Sequence, residues 1–208
     1  VADIDIWAPA AILADLDGTL VDSVASSERA WGAFARRRGL DEQETHSFAM
    51  GRPTRETVAL LVPEQERVAE QGQIDRDEVD DAGSVVAYPG AAELLAGPIP
   101  IAIVTSGSTE LATARLRGAG LEPPAVLITA DSITRGKPDP EPFLLGAQGL
   151  DVDPALCLAL EDAPPGIESA RAAGMPVVAF RTTHAEDEIA TATVVLDTLA
   201  EAVARLAK

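Results

Sequence analysis

Cysteine, lysine and aromatic side chains are nearly missing from this chain. Its single cysteine, Cys157, lies in the apolar run LCLAL. No intrachain disulfide can form, which suits a reducing compartment, and the expected role of Cys157 is that of a small buried hydrophobe. Bases are scarce as well: 16 face 34 acids, for a net charge of −18. A surface of that sign repels nucleic acid and anionic membranes, so neither is expected as a partner. No apolar run approaches the roughly 20 residues of a membrane span. The opening residues VADIDIWAPA contain neither the basic nor the apolar segment of a secretory signal. A cytoplasmic location is therefore expected, and a first residue other than Met points to a processed or incompletely represented N-terminus. His46 and His184 stand isolated, so no zinc site is expected and each reads as a surface or capping residue.

What is present is a rhythm. Hydrophobic residues make up 47% of 208, enough for one large domain with a smaller insertion. Short apolar runs at Ala11–Asp15, Ile101–Thr105, Val126–Thr129, Cys157–Leu160, Val177–Phe180 and Val194–Leu196 read as strands. Helical patterns follow at Thr109–Ala119, Pro142–Gly149, Gly166–Ala173 and Leu199–Ala207. Strands this apolar need cover on both faces, and the alternation predicts an α/β fold, a doubly wound, Rossmann-like parallel sheet. Residues 23–87 break the rhythm. WGAFARRRGL, RETVALLV and EQERVAEQGQIDRDEVDDAG read as helices, with Pro63 between the last two and no strand evident. The expected organisation is a core of residues 1–22 plus 88–208 with a helical insertion at 23–87. The chain re-enters the core near the turn signal Tyr88-Pro89-Gly90.

Ligands of such sheets sit at the carboxyl ends of the strands. Asp15-Leu16-Asp17-Gly18-Thr19, Thr105-Ser106-Gly107-Ser108, Arg135-Gly136-Lys137-Pro138 and Glu161-Asp162-Ala163-Pro164-Pro165-Gly166 follow the first four strands in order. Each cluster alone has an ordinary reading as a cap, a turn or a surface residue; their joint occurrence at successive strand ends does not. Lys137 adds to this, because the only other lysine is Lys208. Carboxylates gathered on one rim repel one another unless a cation sits among them, and hard oxygen donors with room for water and phosphate suit Mg²⁺. A carboxylate beside such an ion can attack phosphorus. A second one, two residues on, can protonate the leaving oxygen and later deprotonate water.

The pieces LADLDGTLVDS, IVTSGS, RGKPDPEPFLLGA and LEDAPPGIESARAAGM resemble the haloacid dehalogenase superfamily, in its phosphatase branch with a helical cap. ITADSITRGKPDPEPFLLGAQGL looks like its sugar-phosphatase and glycerol-3-phosphatase subgroup. The resemblance implies Asp15 as nucleophile and metal ligand. It implies Asp17 as acid and base, with its backbone carbonyl on the metal. Thr105 and the amides of Ser106 and Gly107 would bind the phosphoryl group, and Lys137 would neutralise phosphate and Asp15. Asp162 would complete the Mg²⁺ site, with Glu161 as ligand or support, and Thr19 would brace the loop. In the insertion, where the match thins, Arg52 of MGRPTRET is the residue expected to touch substrate. Trp31 and Phe34 have helical spacing and read as core of the insertion. The expected substrate is a small phosphorylated metabolite, a sugar or glycerol phosphate, and the expected state a monomer. A phosphomutase would begin with the same chemistry at Asp15. A dehalogenase has no use for Asp17, and a receiver-type signalling module does not share two acids on one strand end.

Overall fold

The computed structural model describes residues 5–207; Lys208 lies outside them. In chain order these residues form β1 (Ala11–Ala14), β2 (Val21–Asp22), α1 (Val24–Arg38), α2 (Glu42–Ala49), α3 (Thr54–Leu61), α4 (Arg67–Asp80), β3 (Val86–Ala87) and α5 (Ala91–Leu95). They continue with β4 (Ile101–Val104), α6 (Thr109–Gly118), β5 (Val126–Ile128), α7 (Glu141–Gly149), β6 (Cys157–Glu161), α8 (Pro164–Ala172), β7 (Val177–Phe180), β8 (Val194–Leu196) and α9 (Leu199–Leu206). Six strands make one parallel sheet in the order β5-β4-β1-β6-β7-β8. The chain leaves the central β1 for β4 and β5 on one side, then crosses to β6 on the other. The carboxyl ends of β1, β4 and β6 thus meet where the winding reverses, the place where such sheets bind ligands.

The strands are buried on both faces for the reason their composition suggested. Ile12 and Ala14 of β1 join Ile103, Leu158, Leu160 and Val178 in a core closed by Leu94 of α5, Ala112 and Leu116 of α6, and Leu199 and Ala202 of α9. Ala11 and Leu13 point the other way and pack with Phe143 of α7 and Ile167 of α8. Cys157 lies in this second layer and is buried. No helix among the described residues is long and apolar enough to cross a membrane.

Between β2 and β3 the chain is helical, with a separate apolar cluster of Trp31, Phe34, Ala49, Val58, Val62 and Ile74. Trp31 and Phe34 meet edge to face, centroids 5.6 Å apart. Gly39 ends α1 in the left-handed conformation, φ 66°, where a glycine is free of Cβ strain. Two features of this segment differ from the reading above. Helix α2 is an additional helix. Its signal was present in Asp41-Glu42-Gln43-Glu44, where the Asp41 side chain accepts the Glu44 N–H at 2.8 Å. The second feature is a pair of strands, β2 and β3, which lie antiparallel with Val21 opposite Ala87 and Asp22 opposite Val86. Strands of two residues carry no readable alternation, but this ribbon holds together the two crossings between sheet and insertion. His46 is half-buried in α2, and burial lowers its pKa.

Candidate active site

Asp15 extends β1, and its N–H donates to Leu160 O of β6 at 2.9 Å. The chain then turns at Gly18, whose φ of 81° favours glycine. A side chain there would also overlap the Asp162 carboxylate. Lys137 arrives from the loop after β5 and is buried. Its Nζ donates to Asp15 Oδ1 at 2.5 Å, to Glu161 Oε1 at 2.6 Å and to Val104 O at 3.0 Å. All three ammonium donors are therefore engaged. Burial pulls the Lys137 pKa down, yet the charges of Asp15 and Glu161 outweigh it and hold the group above its ordinary value.

Glu161, at the end of β6, is a brace. Oε1 accepts from Lys137, while Oε2 accepts the N–H groups of Asp162 at 3.0 Å and Ala163 at 3.2 Å. Asp162 accepts from Thr19 Oγ1 at 3.2 Å and from Thr183 Oγ1. Carboxylate oxygens of Asp15, Glu161 and Asp162 lie within 4.8 Å of one another, all buried. Burial drives Asp15 well above its ordinary pKa; Lys137 opposes this, while Glu161, Asp162 and Asp17 add to it. Burial, then Glu161, pushes Asp162 up to about 8. One lysine does not balance this rim. An all-oxygen donor set with this excess of buried negative charge fits a small divalent cation, to which Asp15, Glu161 and Asp162 each offer a carboxylate oxygen.

The second motif curves beside them. Thr105 Oγ1 accepts the Gly107 N–H at 3.1 Å, so the Gly107 amide is used inside the loop and the Thr105 hydroxyl proton is left to donate outward. Ser106 Oγ donates to Gly51 O of the insertion at 3.1 Å. Ser108 caps α6 through the Leu111 N–H. The motif is thus both a helix cap and a wall of the pocket. That pocket is lined by Asp15, Asp17, Thr105, Lys137 and Asp162 from the sheet side, and by Trp31, Gly51 and Arg52 from the insertion.

Some site residues are placed as expected in space but not in contact. Arg52 borders the pocket, yet its guanidinium donates to Phe48 O and lies over the Phe48 ring at 4.6 Å. Arg55 instead bridges the insertion to the loop after β5, donating to Ala130 O at 2.7 Å. Asp17 also faces the pocket, and its Oδ1 accepts from Ser23 Oγ at 2.7 Å and pairs with Arg115 Nη1 at 2.9 Å. Arg115 and its second partner, Glu78 of α4, were not anticipated. Arg115 Nη2 meets Glu78 Oε1 at 3.0 Å, and both side chains are 5% exposed. Burial raises the Glu78 pKa to about 7 against the pull of Arg115. Thr183 was missed too. Nothing local marked these residues: Arg115 reads as a cation closing a helix, and Glu78 sits in an acidic run.

Gly166 offers a test of the Glu161 brace. An alanine in α8 gains about 1 kcal/mol of helix propensity, but its methyl would overlap the Glu161 carboxylate. Overpacking costs about 1–3 kcal/mol, so Gly166→Ala is expected to lower the urea midpoint and to reduce activity. A midpoint that rises instead would show that Glu161 is free to move.

A family model described as haloacid dehalogenase-like hydrolase matches residues 9–174. Hexitol phosphatase A of Escherichia coli is 43% identical over 174 residues, 80% of this chain and 81% of that one. Validoxylamine A 7′-phosphate phosphatase of Streptomyces hygroscopicus is 37% identical over 206 residues, 91% of this chain and 93% of that one. The crystal structure of a beta-phosphoglucomutase from Clostridium difficile superposes with a TM-score of 0.83, covering 96% of this chain and 97% of that one. At 22% identity this likeness shows the fold alone.

Proposed function

The chain belongs to the haloacid dehalogenase-like hydrolases, and from that footing we propose that it is a magnesium-dependent phosphatase of a small phosphorylated polyol or sugar, working through an aspartyl-phosphate on Asp15. The observation that carries the reading is the buried set at the sheet's switch point: Asp15 paired to Lys137, with Asp162 beside it and Glu161 bracing both. Two relatives named as phosphatases, at 43% and 37% identity, support hydrolysis over transfer.

An Oδ of Asp15 attacks phosphorus, and the bond from phosphorus to the substrate oxygen breaks. Asp17 gives its proton to that oxygen as it leaves. The Thr105 hydroxyl donates to a phosphoryl oxygen, and the Lys137 ammonium, held in place by Asp15, Glu161 and Val104 O, offsets the negative charge that builds on the phosphoryl group. Asp17, now ionised, takes a proton from water, which attacks the acyl phosphate, releases inorganic phosphate and restores Asp15. Asp15, Asp162 and the Asp17 backbone carbonyl would hold Mg²⁺, which supplies positive charge to a dianion that would otherwise meet a rim of acids. The insertion at 23–87 acts as a cap that keeps bulk water out while the phosphoryl group passes to Asp15 and opens to admit the attacking water, and Arg52 on its rim is placed to meet a substrate hydroxyl.

Phosphate release is to be measured on hexitol, hexose and glycerol phosphates and nucleoside monophosphates with Mg²⁺, for the wild type and Asp17→Asn. Release that favours a polyol or sugar phosphate and falls about 10²–10⁴-fold in the variant is expected. Conversion of a sugar phosphate into its isomer, without release, would make the protein a mutase.

A further inference from the structure

Asp17 is held by an arginine of the core that also binds a carboxylate of the cap. Arg115 projects from α6 in the core, and Glu78 from α4 in the cap. The guanidinium lies between the two carboxylates, 2.9 Å from Asp17 Oδ1 and 3.0 Å from Glu78 Oε1. Both Arg115 and Glu78 line the pocket that Asp17 borders. Burying a guanidinium with two carboxylates brings little net stability, because desolvation offsets most of the Coulombic gain. What such a set does provide is geometry: the planar guanidinium fixes the direction of each carboxylate it binds. Ser23, which occupies the N-cap position of α1 without capping it, gives its hydroxyl to the same Asp17 oxygen at 2.7 Å. Asp17 is thus held from two sides, by the first residue of the insertion and by an arginine that Glu78 of the cap also binds.

We propose that Arg115 is a positioning residue that aims the Asp17 carboxylate at the leaving oxygen, and that Glu78 ties this placement to docking of the cap. The proposal rests on the reading of Asp17 as acid and base. It has a consequence that a merely structural ion pair lacks. A proton donor is needed when the leaving group is an alkoxide, and hardly needed when it is a phenolate stable without a proton. Losing the aim of Asp17 should therefore harm alkyl phosphates far more than aryl ones.

The experiment compares kcat/KM on glycerol phosphate and on p-nitrophenyl phosphate, with Mg²⁺, for the wild type, Asp17→Asn, Arg115→Met and Glu78→Gln. This ratio reports steps up to the first phosphoryl transfer, where the proton is given. Asp17→Asn sets the reference pattern. Arg115→Met is expected to lose about 10²-fold on glycerol phosphate and less than about tenfold on the aryl ester, within the range of general acid catalysis. Glu78→Gln, which keeps a hydrogen-bonding oxygen for Arg115, should show the same bias more weakly; it carries the test if Arg115→Met does not fold. In the Asp17→Asn background, Arg115→Met should add little, since the two act as one unit. Equal losses on both esters in Arg115→Met and Glu78→Gln, with Asp17→Asn still biased, would overturn the positioning role and leave the acid assignment intact. No bias in Asp17→Asn itself would instead remove the reading of Asp17 on which the proposal stands.

Discussion

Asp15→Asn is expected to lower turnover by about 10⁴-fold or more, the scale on which enzymes lose activity with their nucleophile, while the protein stays folded. The stability side follows from the rim. Asp15 is buried among Glu161, Asp162 and Asp17, and its pKa is raised by burial first and by those acids, with only Lys137 opposing. A raised folded pKa means that ionising Asp15 works against folding. Its contribution is fully present below the ordinary carboxylate range and is lost as pH rises through the raised value. Asparagine does not titrate, so the variant lacks that loss. Lys137 keeps Glu161 Oε1 and Val104 O as partners. Thermal unfolding in metal-free buffer should find the variant no less stable than the wild type at pH 8, with any advantage shrinking toward pH 4. Residual activity above about 1% would remove Asp15 as nucleophile, given the losses expected for such a residue. A fall of more than about 3 kcal/mol, the penalty for breaking a buried pair, would make Asp15 a structural partner of Lys137 instead.

Magnesium should stabilise the protein, and more so as pH rises. Asp162 is pushed to about 8 by burial and by Glu161. The metal-free protein therefore loses stability between the ordinary carboxylate range and about pH 8, as Asp162 ionises where burial and Glu161 outweigh the opposing charge of Lys137. A cation held there restores it, and below that range it must first displace a proton. At a concentration one hundred times Kd the gain is about 2.7 kcal/mol, a rise in Tm of roughly 5–10 °C for a chain of this size. The shift should be largest at pH 8, smaller at pH 5.5, and much reduced in Asp162→Asn. EDTA should abolish phosphate release and added Mg²⁺ restore it. A Tm indifferent to Mg²⁺ at every pH, or turnover that survives EDTA, would remove the metal from the mechanism.

Those two results depend on residues that the sequence alone could nominate. The strands were legible because each is a short apolar run that a two-sided sheet must bury, as Ile12, Leu158 and Val178 are on one face and Leu13 and Ala159 on the other. The order of polar clusters at their ends then named Asp15, Thr105, Lys137, Glu161 and Asp162, because parallel strands present successive loops on one edge. Helix α2 has a local signal in the Asp41 cap, whereas the two-residue strands β2 and β3 are too short to have a pattern.

Other features arose only from packing. Arg52 stands at the rim as its position in the chain suggested, but the way its guanidinium folds onto Phe48 is a matter of local packing. Arg115 meets Glu78 across 37 residues of sequence. Each has an ordinary local explanation, a cation at the end of a helix and an acid in an acidic stretch. Their burial and pairing exist because α4 of the cap lies against α6 of the core. The sequence determined which chemistry the sheet edge could hold, since strand pattern and loop composition are local properties. The tertiary structure decided which charges face Asp17, because a buried ion pair is set by the distance between two surfaces brought together in folding.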